Sequence, residues 1–334
     1  MKKLLIVAAF LATGVAFSQT QNVQTRTGNT DAIGKTVFST THANDMVNSQ
    51  RPACADCEVK QAQVPNGFIT IGKNKVDIQQ VGESNEAKGV QLGNSNMSLI
   101  RQDNSNFIPG EGNLASTEQR GYRNGANIKQ FGNNNKSRIY QNGEGNYAAQ
   151  DVGDDNAKEA EGNETYALQR GQGNRSSQKQ RFDNNQASLY QYGDGNSVIQ
   201  KQSSGPNQSS GSEAFANQVG DDNGVLQDQT GSHNFASVYQ TGNRNSSSEI
   251  QSTTTDDATM CNISTVNQVG DDNKSCVDQY SNEGNNCSLV NQIGNNNQSK
   301  VNQDAYANGN NASCVLQVGN MNKAQVVQSG PGSL

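Results

Sequence analysis

From residue 74 to residue 328 the chain repeats one pattern of inward-type and outward-type positions. A Gln is followed two residues on by Gly and five residues on by Asn, and the next Gln comes 11 residues after the first. The Gln positions are Gln80, Gln91, Gln102, Gln119, Gln130, Gln141, Gln169, Gln180, Gln191, Gln202, Gln218, Gln229, Gln240, Gln251, Gln268, Gln279, Gln292, Gln303, Gln317 and Gln328. Asp151 is read as filling the Gln position of one further unit, which makes 21 units. Six residues before the Gln stands Asn in 19 of them: Asn74, Asn85, Asn96, Asn113, Asn124, Asn135, Asn163, Asn174, Asn185, Asn196, Asn223, Asn234, Asn245, Asn262, Asn273, Asn286, Asn297, Asn311 and Asn322. Ser212 is one exception, and at Asp151 a one-residue deletion displaces Asn146. Four residues before the Gln the side chain is small (Ala87, Ser98, Ala115, Ser137, Ala187), and two before it is often aliphatic (Ile100, Ile128, Ile139, Leu189, Val238, Val266). The intervening positions are mixed and often charged (Lys88, Arg101, Lys129, Arg138, Lys179, Asp278). Alternation with period two predicts a strand with one buried face. A Gly in every unit and β-branched residues at the inward sites argue against helix.

Between strands the Gly-x-x-Asn segment predicts a tight arc. Gly supplies backbone angles closed to other residues, and Asn tolerates them while bonding to nearby backbone. The arc glycines are Gly82, Gly93, Gly121, Gly132, Gly143, Gly171, Gly193, Gly220, Gly231, Gly242, Gly270, Gly294 and Gly319. The longer intervals, after Gln102, Asp151, Gln202, Gln251, Gln279 and Gln303, all fall between an odd unit and the next even one. Insertions in a solenoid collect on one face, so two kinds of arc alternate and each coil holds two units. The arc Gly is replaced by Asn104, Ser204, Thr253, Ser281 and Ala305 in long arcs; Phe182 in a short arc and Gly153 in a long one break this rule. The expected fold is all-β: a β-solenoid of about ten two-strand coils, with two facing parallel sheets ~4.8 Å per strand step and Gln and Asn ladders inside. Each buried amide is satisfied by its equivalent one coil away. Tyr140, Tyr190 and Tyr239 recur on the outward face about every 50 residues, as a contact stripe or as plain β-propensity.

Composition changes what such a fold can be. Hydrophobic residues are 31%, aromatic residues 5% and Trp is absent, too little for a thick core. A repeat architecture needs only a thin interior, and the formal net charge of −6 is modest for a disordered chain. Lys2 and Lys3, then the apolar run Leu4 to Phe17, with Ala16 and Ser18 ahead of Gln19, read as a secretory signal. The expected organisation is a signal peptide at 1–18, a flexible leader at 19–73, the solenoid at 74–328 and a tail at 329–334. Neither the first strand, from Asn74, nor the last, ending at Gln328, looks like a polar cap, so both present edges that template pairing.

Candidate chemistry is sparse. Cys54 and Cys57 form a Cys-x-x-Cys pair read as a local disulfide or two free thiols, because His42 alone does not complete a metal site. Cys261, Cys276, Cys287 and Cys314 fall at outward offsets, and neighbouring thiols on one sheet lie on a diagonal too long for a disulfide. His233 stands at a variable arc position. Asp154-Asp155, Asp221-Asp222 and Asp271-Asp272 each lie in Gly-Asp-Asp-Asn, where turn chemistry explains them better than paired-carboxylate catalysis. No catalytic residue, metal site or cofactor is expected, and the acidic balance argues against nucleic acid.

The segment Ala187-Ser-Leu-Tyr-Gln-Tyr-Gly-Asp-Gly-Asn-Ser-Val-Ile-Gln-Lys-Gln202 resembles the curlin repeat of bacterial curli subunits, Ser-x5-Gln-x-Gly-x-x-Asn-x-Ala-x-x-x-Gln, and the resemblance runs from 74 to 328. It implies a secreted, extracellular amyloid fibre subunit for adhesion and biofilm matrix, with partners that are further copies of the chain, a curli nucleator and an outer-membrane secretion pore. The nucleator role itself is the alternative, and a monomeric ligand- or ice-binding solenoid is a more distant one. Six cysteines and greater length set the chain apart from the typical subunit.

Overall fold

The computed structural model describes residues 24–27, 74–104, 112–153, 160–205, 210–254, 261–306 and 309–330. Every regular element among them is a strand. The expected signal peptide, Cys54, Cys57, His42 and Asp154-Asp155 lie outside the described residues. A short strand, β1 (Gln24–Thr27), comes from the expected leader. The repeat then supplies two interleaved series. One comprises β2 (Lys75–Val81), β4 (Met97–Asp103), β6 (Gly125–Phe131), β8 (Tyr147–Val152), β10 (Arg175–Arg181), β12 (Ser197–Ser203), β14 (Gly224–Thr230), β16 (Ser246–Thr253), β18 (Lys274–Asn282), β20 (Gln298–Tyr306) and β22 (Lys323–Ser329). The other comprises β3 (Glu86–Asn94), β5 (Leu114–Tyr122), β7 (Lys136–Glu144), β9 (Glu164–Gln172), β11 (Gln186–Tyr192), β13 (Glu213–Val219), β15 (Asn234–Thr241), β17 (Asn262–Val269), β19 (Asn285–Ile293) and β21 (Asn310–Val318).

Each series is one parallel sheet in which every strand pairs with the strand two places on. The chain runs out along one sheet and back along the other, which is a β-solenoid with two strands per coil. Register is exact at the repeat motif: Gln180 lies beside Gln202 and Gln191 beside Gln218. Long arcs all leave the even-numbered series, so length variation stays on one edge. Between the sheets runs a single file of small and branched side chains, among them Ile100, Ile128, Ile139, Leu189 and Val238, all fully buried. β-Branched residues suit this slot because they pack flat against equivalents in the strands above and below.

Register corrects one unit. Gln150 pairs with Gln178, Asp151 with Lys179 and Val152 with Gln180. Val152, not Asp151, occupies the Gln position, and Asp151 faces outward. Counted from Val152, Asn146 stands six residues before it, so this unit has no deletion. Asp151 instead pairs with Arg181, Nη2 to Oδ2 at 3.0 Å.

Tight arcs contain two left-handed residues where the sequence signalled one. Gly220 (φ 115°) and Asp222 (φ 56°), or Gly242 (φ 116°) and Arg244 (φ 55°), are typical. Phe182 adopts φ 63° at the Gly position, so that arc keeps its geometry with strained Phe182. The two left-handed sites differ in what they tolerate. At Gly171 (φ 121°) an added Cβ would run into the Gly193 carbonyl oxygen, whereas at Gly173 (φ 65°) it would meet nothing within 4 Å. Gly171→Ala is therefore expected to lower the urea midpoint of the freshly desalted monomer far more than Gly173→Ala, whose cost is about 1–2 kcal/mol. Equal midpoints would show that adjacent arcs are not in contact.

Candidate functional site

What this fold offers in place of a cleft is an interior of ordered amides and the strand edges where that interior ends. The strand alternation turns each motif Gln inward, and the parallel register sets it against the next one. Gln80 Nε2 donates to Gln102 Oε1 at 2.8 Å, and Gln102 to Gln130 at 2.9 Å. On the other sheet the bonds run without a break from Gln91 through Gln119, Gln141, Gln169, Gln191, Gln218, Gln240, Gln268 and Gln292 to Gln317, each 2.7–3.0 Å. The first sheet resumes at Gln180 and continues through Gln202, Gln229, Gln251, Gln279 and Gln303 to Gln328. The same Nε2 atoms also donate to carbonyls of the facing series, as Gln191 does to Arg175 O at 3.2 Å. Val152 breaks the first ladder. Gln130 Nε2 turns to Ser137 Oγ and Asn135 O, and Gln180 Oε1 is left buried without a hydrogen-bond partner.

A second ladder follows the arcs. Asn124 donates from both its backbone N and its Nδ2 to Asn96 Oδ1, and its Nδ2 also reaches Gly143 O at 2.9 Å. Asn146, Asn174, Asn223, Asn245, Asn273 and Asn297 repeat the side-chain bond at 3.0–3.1 Å. The Asn column ties each arc to the next, while the Gln column ties the strands. Ser212 keeps the Asn column going with its hydroxyl, which donates to Gly231 O at 2.9 Å. Outside it runs a third column: Asp221 Oδ1 accepts from Asp194 N, and Asp271 Oδ1 from Asn243 N, both at 2.8 Å. The first Asp of these Gly-Asp-Asp-Asn arcs thus caps backbone N–H groups. In the last of them the second, Asp272, holds Arg244 through two bonds of 2.8 Å.

One ladder escaped the sequence reading, although the recurring Gln-x-Gln of Gln178-Lys179-Gln180, Gln200-Lys201-Gln202 and Gln227-Asp228-Gln229 signals it. Gln150, Gln178, Gln200 and Gln227 occupy the inner position usually held by aliphatics and bond in series at 2.8–2.9 Å. The series ends on Glu249, which accepts from Gln227 Nε2 at 2.8 Å and from Ser264 Oγ at 2.6 Å. Beyond it the next rung is Val277. Glu249 is fully buried, and burial raises its carboxyl from the ordinary carboxylate range to about 8.

Outward chemistry is more varied. Cys261, Cys287 and Cys314 are free thiols. Burial raises the Cys261 and Cys287 thiols, which favours their protonated form. Cys276, expected to face outward, is buried and disulfide-bonded, with a partner that lies outside the described residues. Tyr190 packs on Tyr166 and Phe215, and Phe215 on Tyr239, with ring centroids 5.2–5.8 Å apart. Tyr190 and Tyr239 of the 50-residue beat thus alternate with Tyr166 and Phe215 in an aromatic zigzag, while the Tyr140 ring lies under Arg120 and Arg170. His233 sits in its arc at φ 58° beside Ser232 Oγ. Among the described residues no cluster of His, Cys, Asp and Glu has the make-up to hold a metal ion.

Residues 74–103 and 110–143 match the family model of the curlin associated repeat. No curated protein matches the chain.

Two measurements test the ladders. Gln191→Leu removes the acceptor of Gln169 and the donor of Gln218, and each orphaned buried group costs about 1–3 kcal/mol. It should lower the monomer's urea midpoint clearly, while Lys179→Ser on the exposed face leaves it nearly unchanged; equal effects would show that the amides are not coupled. For Glu249 the folded pKa lies above the unfolded one, so the folded chain holds the extra proton and stability falls as pH rises from about 4.5 to about 8. Glu249→Gln should melt at the same temperature as the parent near pH 4 and progressively higher towards pH 9. A parent curve as flat as the variant's would mean that Glu249 is solvated.

Proposed function

We propose, on the match of residues 74–103 and 110–143 to the curlin associated repeat, that the chain is a structural subunit of extracellular curli-type amyloid fibres. It self-assembles by end-to-end strand stacking and serves adhesion and the biofilm matrix. In this reading it leaves the cell through an outer-membrane secretion pore, and its fibres grow from a curli nucleator. The observation that carries the reading is the first coil. In β2 the inward residues Val76 and Ile78 are 41% and 42% exposed, whereas their equivalents two strands on, Ser98 and Ile100, are fully buried. Nothing in the repeat softens this end: Gln80 and Asn74 hold the ladder positions as every later rung does. A strand edge with its amides in register and its apolar residues uncovered is completed by another chain of the same pattern.

A subunit role, rather than a nucleator role, rests on the regularity of the stack. The odd-series Gln ladder is continuous through ten rungs, so each added copy extends an unbroken template. The purified chain without residues 1–18, incubated at neutral pH, should form unbranched fibres by electron microscopy. Aligned samples should diffract at ~4.8 Å along the fibre and ~10 Å across it. A chain that stays monomeric and thioflavin-negative while adhering or binding ligand would sink this reading.

A further inference from the structure

Resting on the reading of the chain as a fibre subunit, we infer that successive copies join head to tail with a half-turn about the rod axis, so that each sheet of one copy continues the opposite sheet of the next. The argument starts from the direction of the ladders. Every Gln-to-Gln bond of the ladders donates towards the C-terminal end of the rod, as Gln268 does to Gln292 and Gln292 to Gln317. The Asn column donates the other way, as Asn311 Nδ2 does to Asn286 Oδ1 at 2.9 Å. The C-terminal end therefore presents the Gln317 amide N–H and the Asn311 Oδ1. The N-terminal end presents the Gln80 and Gln91 Oε1 atoms and the second amide N–H of Asn74, whose first goes to Gly93 O. Unlike ends match; like ends set donor against donor.

Strand number then fixes the rotation. Among the described residues the solenoid places eleven of its own strands in one sheet, β2 to β22, and ten in the other, β3 to β21. An odd total means that the rod begins and ends on the same sheet. Stacking β2 directly onto β22 would continue that sheet but leave the opposite one a strand short, with a gap of about two strand spacings, ~9.6 Å, between β21 and the next β3. Rotation by a half-turn removes the gap: β2 of the next copy lies on β21, and its β3 lies on β22. The two sheets run in opposite directions across the rod, so the rotation that exchanges them also keeps stacked strands parallel.

Two details of the ends agree. After β21 the chain turns through Gly319 (φ 102°) and Met321 (φ 57°); after β2 it turns through Gly82 (φ 96°) and Ser84 (φ 58°). The half-turn seats one of these like arcs on the other and extends the column of close Gly contacts that reaches Gly319 from Gly294. Second, β1 pairs with β22 along four residues, Gln24 to Val326 through Thr27 to Ser329, while β21 carries no strand on its outer edge among the described residues. The edge that the half-turn uses first is thus open. The nine-residue β3 of the incoming copy then replaces the four-residue β1 on β22.

Cross-linking reads the rotation. Cys314 is an exposed free thiol three residues before Gln317, and Asp77 holds the same position before Gln80. Under the half-turn the two stack directly, at a Cα separation of ~4.8 Å that a disulfide spans. Fibres of Asp77→Cys, oxidised with copper phenanthroline and digested, should give a peptide linking positions 77 and 314, absent from oxidised monomer. A second variant, Asp77→Cys with Gln325→Cys and Cys314→Ser, places thiols for same-sheet stacking of β2 on β22. Fibres that link 77 to 325 in this variant and give no 77–314 link in the first overturn the half-turn while leaving the subunit reading intact. Absence of fibres from parent and variants alike overturns the subunit reading itself.

Discussion

The side-chain amide ladder is the interaction on which the other features of this structure depend. A Gln or Asn amide carries both donor and acceptor, so a column of them satisfies itself when rungs lie one strand spacing apart and in register. Burying so many amides in a narrow slot without such partners would cost several kcal/mol per group at the upper end. Register is consequently not a detail of this fold but its condition. A slip of one residue along any strand turns every amide out and every charged outward residue in.

From that condition the other properties follow. The apolar core is thin, a file of Ile, Leu, Val and Ala side chains, because amides occupy the remaining inward sites and need no hydrophobic cover of their own. Arcs are as tightly constrained as strands, since each Asn spans from one arc to the neighbouring one and Gly carbonyls lie in close contact between coils. Length variation is confined to one edge of the rod. The bonds also have a direction, and a directional column has two different ends. That gives a rod of otherwise repetitive sequence a head and a tail.

Much of this was legible in the sequence because the repeat is its own alignment. Gln, Gly and Asn at fixed offsets revealed strand, arc and face, and the placing of insertions revealed two units per coil. The misreadings have physical causes. Asp151 resembles a Gln-slot residue in type beside Gln150, whereas a hydrophobic Val152 in a Gln column gives no local signal and only its spacing from Asn146 marks the slot. Phe182 looks like a broken arc, yet its neighbours hold it at a positive φ. The inner Gln150 to Gln227 ladder hid behind a rule that made this position aliphatic. The disulfide of Cys276 and the pairing of β1 with β22 depend on contacts far apart in the chain, and a repeat pattern carries no information about them.

Side-chain amide exchange in the assembled fibre tests the role of the ladders most directly. In fibres with 15N-labelled glutamine, the Nε2 protons of the ladder positions are predicted to exchange with deuterated buffer as slowly as backbone amides of the strands. Gln172, exposed at the end of β9, is predicted to exchange at once. Rapid exchange at the ladder glutamines while the backbone stays protected would contradict the account, because it would mean that the sheets hold together without the amides.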